Sequence, residues 1–233
     1  MYYVISDIHG DYESFDKMLL QINFSSDDYL YILGDIVDRG QDNLRLLQYV
    51  WSSENAILLK GNHEYFLERY LKGLISSGLW DACGGNWTRK EVDMLSNEGK
   101  KKLLKYVETL PIYENVTING EDFFLTHSGY HADYSIINAD TRRVDIQESV
   151  NLSLKKDYRG YLFSNDIHHI PASLQFDKKI IVGHYPTIFI PRHEKAEIYF
   201  GRNYIDIDTG NERREEGGRL SCLRLDDGKE FYI

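Results

Sequence analysis

Short apolar runs that stop abruptly at polar residues and glycine recur along the first quarter of the chain. "YYVISDIHGD" carries Tyr2 to Ile5 into Asp7, His9 and Gly10, and "YLYILGDIVDRG" carries Tyr29 to Leu33 into Asp35, Asp38 and Arg39. "NAILLKGNHEY" carries Ala56 to Leu59 into Gly61, Asn62 and His63. Continuous apolar runs of this length suit strands buried on both faces. Between them, residues 14–22 and 41–51 place Phe15, Met18, Leu19 and Ile22, then Leu44, Leu47 and Val50, at helical spacing. Alternating strand and helix predict βαβ units with a parallel sheet, whose ligands gather at the carboxyl ends of the strands.

Residues 65–110 read as mostly helical, with a break where Gly84 and Gly85 interrupt the periodicity and a stop at Pro111. Two alternating stretches then flank Asn119 and Gly120, a two-residue hairpin signal. "KIIVGHYPT" repeats the early pattern, an apolar run into Gly183 and His184. The tail reads as short antiparallel strands with Gly-containing turns, and "RREEGG" at 213–218 as a solvated loop. With no linker, low-complexity tract or solenoid repeat, the expectation is an α/β fold: one domain over 1–233 with two mixed sheets.

Composition narrows the partners. A length of 233 residues, 42 % hydrophobic and 27 % charged, is enough for one well-buried globular domain. The net charge of −10 works against binding nucleic acid or an anionic membrane, so neither is expected as a partner, and a phosphate-bearing substrate needs local positive charge. Cys83 and Cys222 are far apart and match no metal or disulfide spacing, which points to a reducing cytoplasm. The start "MYYVISDIHG" has no basic stretch followed by a long apolar one, and nowhere do ~18 consecutive apolar residues occur, so neither a leader peptide nor a span is expected.

The polar strand ends carry the candidate chemistry. Alone, Asp7 reads as a helix cap, Asp38 or Asn62 as turn residues, and His127 or His184 as a satisfied core histidine. Together, five strand ends deliver Asp7, His9, Asp35, Asp38, Asn62, His63, His127 and His184, and burying so many polar groups is costly unless they are paired or metal-bound. Carboxylate, imidazole and amide oxygen without thiolate suit Mn, Fe, Zn or Co. Asp7 and His9 are two apart, so an extended backbone points both to one side. Gly34 and Gly40 let the backbone pass close to a ligand, and Arg39 is a natural bidentate clamp for phosphate.

"SDIHGD", "GDIVDRG", "GNHE", "THSG" and "VGH", in that order, resemble the signature of the phosphoprotein phosphatase family of serine/threonine phosphatases, within the calcineurin-like metallophosphoesterase superfamily. The resemblance runs to about Gly210, is nearest to the small bacterial and bacteriophage members, and extends to "WDACGGNWT". It implies the metallophosphoesterase fold, two mixed β-sheets packed as a sandwich flanked by helices. It implies two divalent metals, Mn²⁺ first and Fe, Zn or Co as alternatives, one held by Asp7, His9 and bridging Asp35, the other by Asp35, Asn62, His127 and His184. It also implies that a water shared by the metals would attack phosphorus in line. By the same resemblance Arg39 would hold the phosphate with Asn62 beside it, and His63, oriented by Asp38, would protonate the departing alkoxide. Glu64 supports by hydrogen bonding or capping rather than ligation.

The implied reaction is removal of phosphate from phosphoserine or phosphothreonine, and from phosphotyrosine as an extension, with a phosphorylated protein or peptide as partner. The alternative is hydrolysis of diadenosine tetraphosphate or another nucleotide by the same superfamily. Two departures matter. Ser6 stands where the family usually has Gly, and the family's second phosphate-binding arginine has no counterpart in "YLFSNDIHH", where Phe163 and Asn165 stand; Arg159, Arg142 and Arg143 are the open candidates. His168, His169, His131 and His193 read as structural or loop residues, and Tyr130 and Tyr185 as close enough to ligand histidines to line a pocket.

Overall fold

Alternate residues of the first strand serve two different cores. This computed structural model describes residues 1–171 and 173–233. In β1 (Tyr2–Ile5), Tyr3 and Ile5 pack under helices while Val4 faces a second sheet, the two-residue period of a strand buried on both sides. β2 (Tyr29–Ile32) divides in the same way, Leu30 and Ile32 against Tyr31. β3 (Ala56–Leu58) completes the parallel trio.

The intervening helices α1 (Tyr12–Gln21) and α2 (Asn43–Ser52) bury Phe15 and Met18, and Leu46, Leu47 and Val50, against that sheet. Asp11 caps α1 by accepting from the Ser14 amide at 3.0 Å. The helical stretch resolves into α3 (Asn62–Leu71), α4 (Ser77–Ala82), α5 (Asn86–Asp93) and α6 (Asn97–Thr109), with the expected break between α4 and α5 and the expected end before Pro111.

β4 (Tyr113–Ile118) and β5 (Glu121–Thr126) form the predicted hairpin, and Asn119 and Gly120 both carry the positive φ, 53° and 82°, that its tight turn requires. Two helices then follow, α7 (Ile146–Lys156) and α8 (Tyr158–Leu162), before β6 (Lys179–Val182).

The tail departs from the expected run of antiparallel strands. β7 (Tyr199–Phe200) pairs antiparallel with β8 (Tyr204–Asp206), but β8 runs parallel to β6. β9 (Ser221–Arg224) and β10 (Glu230–Tyr232) cross to the first sheet, β9 lying antiparallel to β1. The result is two mixed five-stranded sheets, β10-β9-β1-β2-β3 and β4-β5-β6-β8-β7. Val4, Leu33, Leu125, Ile181 and Ile205 fill the space between them, with α1–α6 covering one outer face and α7 and α8 the other. Among the described residues no helix is long and apolar enough to cross a membrane.

Candidate active site

The loops leaving β1, β2, β3, β5 and β6 meet at one edge of the sandwich, and the first two remain zipped together beyond the sheet. The amides of Asp7, His9 and Gly10 donate to the carbonyls of Gly34, Asp35 and Ile36 at 3.2, 3.0 and 2.9 Å. Contrary to the extended "DIH" expected from the sequence, Asp7 and His9 both have φ of 51°, as does Asp35; Asp38, Arg39 and His184 are left-handed too, at 73°, 67° and 75°. For residues with a Cβ this conformation costs about 1–2 kcal/mol each. Such strain concentrates where a side chain must be aimed. Gly34 and Gly40 serve these loops rather than a ligand: a Cβ on Gly40 would stand 2.2 Å from the His9 carbonyl oxygen, and one on Gly34 2.7 Å from the Gly61 nitrogen.

Glu64 holds the crossing. Its Oε2 accepts from the amides of Asp35 and Gly61, each at 2.8 Å, and its Oε1 from the Ile36 amide at 2.9 Å. Both of its oxygens accept from backbone amides, which fits support rather than ligation.

Hydrogen bonding also fixes the imidazoles. Nδ1 of His9 lies 3.0 Å from the Val37 carbonyl and Nδ1 of His127 lies 2.8 Å from that of Leu33, so each Nδ1 carries the proton. Burial first, and then Arg39 and His63, hold His9 well below the usual histidine range; burial and the charge of His127 do the same to His184. In its neutral form, a ring with Nδ1–H presents Nε2 as a lone pair. Around His9 Nε2 stand Asp7 Oδ1 at 3.9 Å and Asp35 Oδ2 at 4.0 Å; around His127 Nε2 stand Asn62 Oδ1 at 2.8 Å, His184 Nδ1 at 3.1 Å and Asp35 Oδ1 at 3.4 Å. Two groups of lone pairs thus converge with Asp35 between them, one oxygen to each.

Burial above all, with Asp7 and Glu64 adding, drives Asp35 well above the ordinary carboxylate range even against the pull of His63. Converging acceptors beside a carboxylate that resists ionisation suit cations, and Asp35, His127 and His184 offer atoms within 4.8 Å of one another, as do His9, Asp35 and His63, of which His63 is committed to Asp38.

His63 is set apart from the other rings. Its Nδ1 lies 2.7 Å from Asp38 Oδ2, which also accepts from Trp80 Nε1 at 2.8 Å, while Thr88 Oγ1 donates to Asp38 Oδ1 at 2.5 Å. Burial alone depresses the His63 pKa, but the Asp35 charge and the Asp38 hydrogen bond outweigh it and raise it above the usual histidine value. When protonated, the ring has no lone pair for a cation and has a proton to give from Nε2. Arg39 Nη2 stands 3.2 Å from that nitrogen.

Trp80, Thr88 and Glu212 were not among the residues expected here. The first two lie in "WDACGGNWT", whose likeness to relatives gave them no role. Glu212 precedes the stretch read as a solvated loop. Residues 213–217 of that stretch are exposed as expected, but 213–216 continue a short 3₁₀ segment, Asn211–Glu216, in which Asn211 and Glu212 turn inward: Glu212 pairs with Arg39, and its Oε2 lies 3.4 Å from His9 Nε2.

None of the arginines considered for a second clamp touches these groups among the described contacts. Arg159 is exposed over the Phe163 ring at 5.7 Å, Arg142 sits in an exposed turn, and Arg143 lines a separate cleft with Lys178 and Arg202. Tyr130 does not line the site; it is buried against Phe176. Tyr185 stacks near His168, whose Nδ1 is 2.9 Å from the Tyr204 hydroxyl and whose pKa burial lowers to about 4. His169 is exposed, and His131 and His193 lie outside the cluster, beside Asp166 and Glu197.

Solved structures share this fold. One described as a candidate diadenosine tetraphosphatase matches all of the chain and 92 % of its own length with a TM-score of 0.60 at 17 % identity; a cold-active protein-tyrosine phosphatase from a Shewanella species matches with 0.57 at 17 %, over all of the chain and 80 % of its own. Among curated proteins, the symmetrical bis(5'-nucleosyl)-tetraphosphatase of Buchnera aphidicola subsp. Schizaphis graminum is 30 % identical over 72 % of the chain and 58 % of its own length. Serine/threonine-protein phosphatase 2 of Escherichia coli K12 is 33 % identical over 55 % of the chain and 58 % of its own length. The chain thus spans a little over half the length of these curated relatives. The family model for calcineurin-like phosphoesterases matches residues 2–216, and with the strand-end cluster inside that range, the chain belongs to this family of metal-dependent phosphoester hydrolases.

Proposed function

We propose that the protein cleaves dinucleoside polyphosphates, with a symmetrical substrate such as diadenosine tetraphosphate as first choice. The observation that carries hydrolysis at this site is the position of Asp35, one oxygen toward each lone-pair group, with the His63 ring and the Arg39 guanidinium at the same edge. The choice of substrate rests on the tetraphosphatase named above and on further ones from Salmonella and Vibrio, 30 % and 31 % identical over about half of the chain.

Asp7, His9 and Asp35 are the residues to hold one divalent cation, and Asp35, Asn62, His127 and His184 the other. When bound, the pair supplies Lewis-acid polarisation of the phosphoryl group and acidifies water. The chain's own residues do the rest: Arg39 orients the phosphoryl oxygens, Asp38 fixes the His63 ring, and His63 Nε2 gives its proton to the leaving oxygen.

A second reading, hydrolysis of phosphoserine and phosphothreonine, is favoured by His63 itself and by the Escherichia coli relative. A nucleoside diphosphate leaves as an anion with a proton affinity near neutrality, whereas a serine alkoxide needs the proton a raised-pKa histidine provides. Parallel measurement of kcat/KM with Mn²⁺ on diadenosine tetraphosphate and on phosphoserine peptides separates the two. We expect at least a hundredfold preference for the dinucleotide, with two nucleoside diphosphates as products; preference for the peptide overturns the first choice.

A further inference from the structure

Glu212 stands where an anion would be expected and is itself an anion. Its side chain is largely buried. One carboxylate oxygen pairs with Arg39 Nη1 and the other lies 3.2 Å from Arg213 Nε. Arg39 turns its second nitrogen to His63 Nε2 at 3.2 Å, so an anion held by Arg39 sits beside the atom that carries the transferable proton. Two guanidiniums flanking one oxyanion group is an arrangement suited to phosphate, with charge-assisted hydrogen bonds from both sides. The same Oε2 faces His9 Nε2, a lone pair, at 3.4 Å, and so gains nothing from that side.

We propose that Glu212 is an internal occupant of the phosphoryl-binding position, that Arg213 is the second anion-binding arginine of this site, and that substrate binds by displacing the Glu212 carboxylate from both guanidiniums. The proposal deepens the phosphoester reading and rests on it. The second arginine had no counterpart at Phe163 or Asn165, and here one arrives from a different segment. Arg213 is half exposed; its Nη1 lies 3.4 Å from Glu216 Oε1 and its guanidinium 5.7 Å from the Phe189 ring centre, surface contacts that an incoming anion can replace.

Displacement does not require the backbone to move. Asn211 Nδ2 is held by the Ile8 carbonyl at 2.9 Å and Arg214 Nη2 donates to Ser14 Oγ at 2.7 Å, which pins the segment on both sides of Glu212 while its side-chain torsions remain free to swing. A terminal or bridging phosphate with several acceptor oxygens can outcompete one carboxylate; a weakly charged ligand cannot. The carboxylate therefore selects for densely charged substrates in a chain whose net charge of −10 otherwise repels them.

Direct binding of inorganic phosphate to the Mn²⁺-loaded chain, followed by calorimetry, tests this without turnover. Glu212→Gln and Glu212→Ala should bind phosphate roughly five- to tenfold more tightly than the parent, the worth of removing one screened competing charge, with unchanged manganese content and melting temperature. Arg213→Ala combined with Glu212→Gln should lose that gain. Unchanged or weaker phosphate binding in both Glu212 variants overturns the displacement; loss of manganese in Glu212→Gln overturns it too, by making the carboxylate a metal ligand. A gain that survives Arg213→Ala removes Arg213 from the clamp. If phosphate binding responds as expected but neither dinucleotide nor phosphopeptide is cleaved, the functional reading fails and this one stands; cleavage with phosphate binding indifferent to Glu212 has the opposite meaning.

Discussion

Replacing Glu64 by Gln tests how the strand-end loops are held, independently of any reaction. Glu64 is fully buried, and its carboxylate takes three backbone N–H groups, two on Oε2 and one on Oε1. Glutamine is nearly the same shape, but its amide nitrogen must face at least one N–H donor. Placed at Oε1, it faces the Ile36 amide: one hydrogen bond to a charged acceptor, worth about 1.5–3 kcal/mol, is lost, and the two from Asp35 and Gly61 fall to neutral strength at about 1 kcal/mol each. Removing the charge also relieves repulsion on Asp35, which offsets part of the loss. The net expectation is a destabilisation of about 3–4 kcal/mol in urea unfolding, or roughly 10 °C in melting temperature. Exposed Glu98→Gln, which loses only a surface pair with Lys102, serves as control and should stay within about 0.5 kcal/mol. A change below about 1 kcal/mol for Glu64→Gln would refute the idea that this carboxylate organises the crossing.

Three further outcomes follow from the same geometry. His63→Asn should slow hydrolysis of an alkyl phosphate by about 10²–10⁴ while sparing p-nitrophenyl phosphate, whose leaving group needs no proton; equal losses on both substrates would place the proton donor elsewhere. Trp80→Phe, which deletes the indole donor to Asp38, should lower kcat on alkyl phosphates about tenfold with little change in KM; an unchanged kcat would reduce Trp80 to packing. At Glu68, burial opposes ionisation, but hydrogen bonds from Lys60 and Lys72 outweigh it and hold the carboxylate below its ordinary value, so its contribution is full above that value and lost as pH falls through the lowered one. Unfolding of Glu68→Gln against the parent should therefore differ more at pH 7 than at pH 3, and a gap that widens in acid would contradict the assignment.

The sequence pattern revealed the inner strands because a buried strand writes its apolar run in consecutive residues, and the five polar motifs because each follows such a run. It could not reveal how the motifs are aimed. Asp7 and His9 converge through left-handed turns, a conformation that costs any residue with a Cβ and that the zipped loops impose. The helices α7 and α8 went unpredicted because the buried face of α7 alternates Ile146 and Val150 with Ser149 and Ser153, whose hydroxyls bond within the fold, leaving a faint apolar period. Glu212 and Arg213 were hidden for a related reason. In a six-residue segment with four exposed charges, nothing in the pattern separates the one glutamate that turns inward from its neighbours.

The account depends most on Asp35 serving two cations at once. Titration of the metal-free chain with Mn²⁺, read by stoichiometry and by electron paramagnetic resonance, should give two bound ions per chain with a spin-coupled signal. Asp35→Asn should abolish the coupling and leave at most one weakly held ion. A single uncoupled ion in the parent, or two tightly bound ions retained in Asp35→Asn, would contradict it.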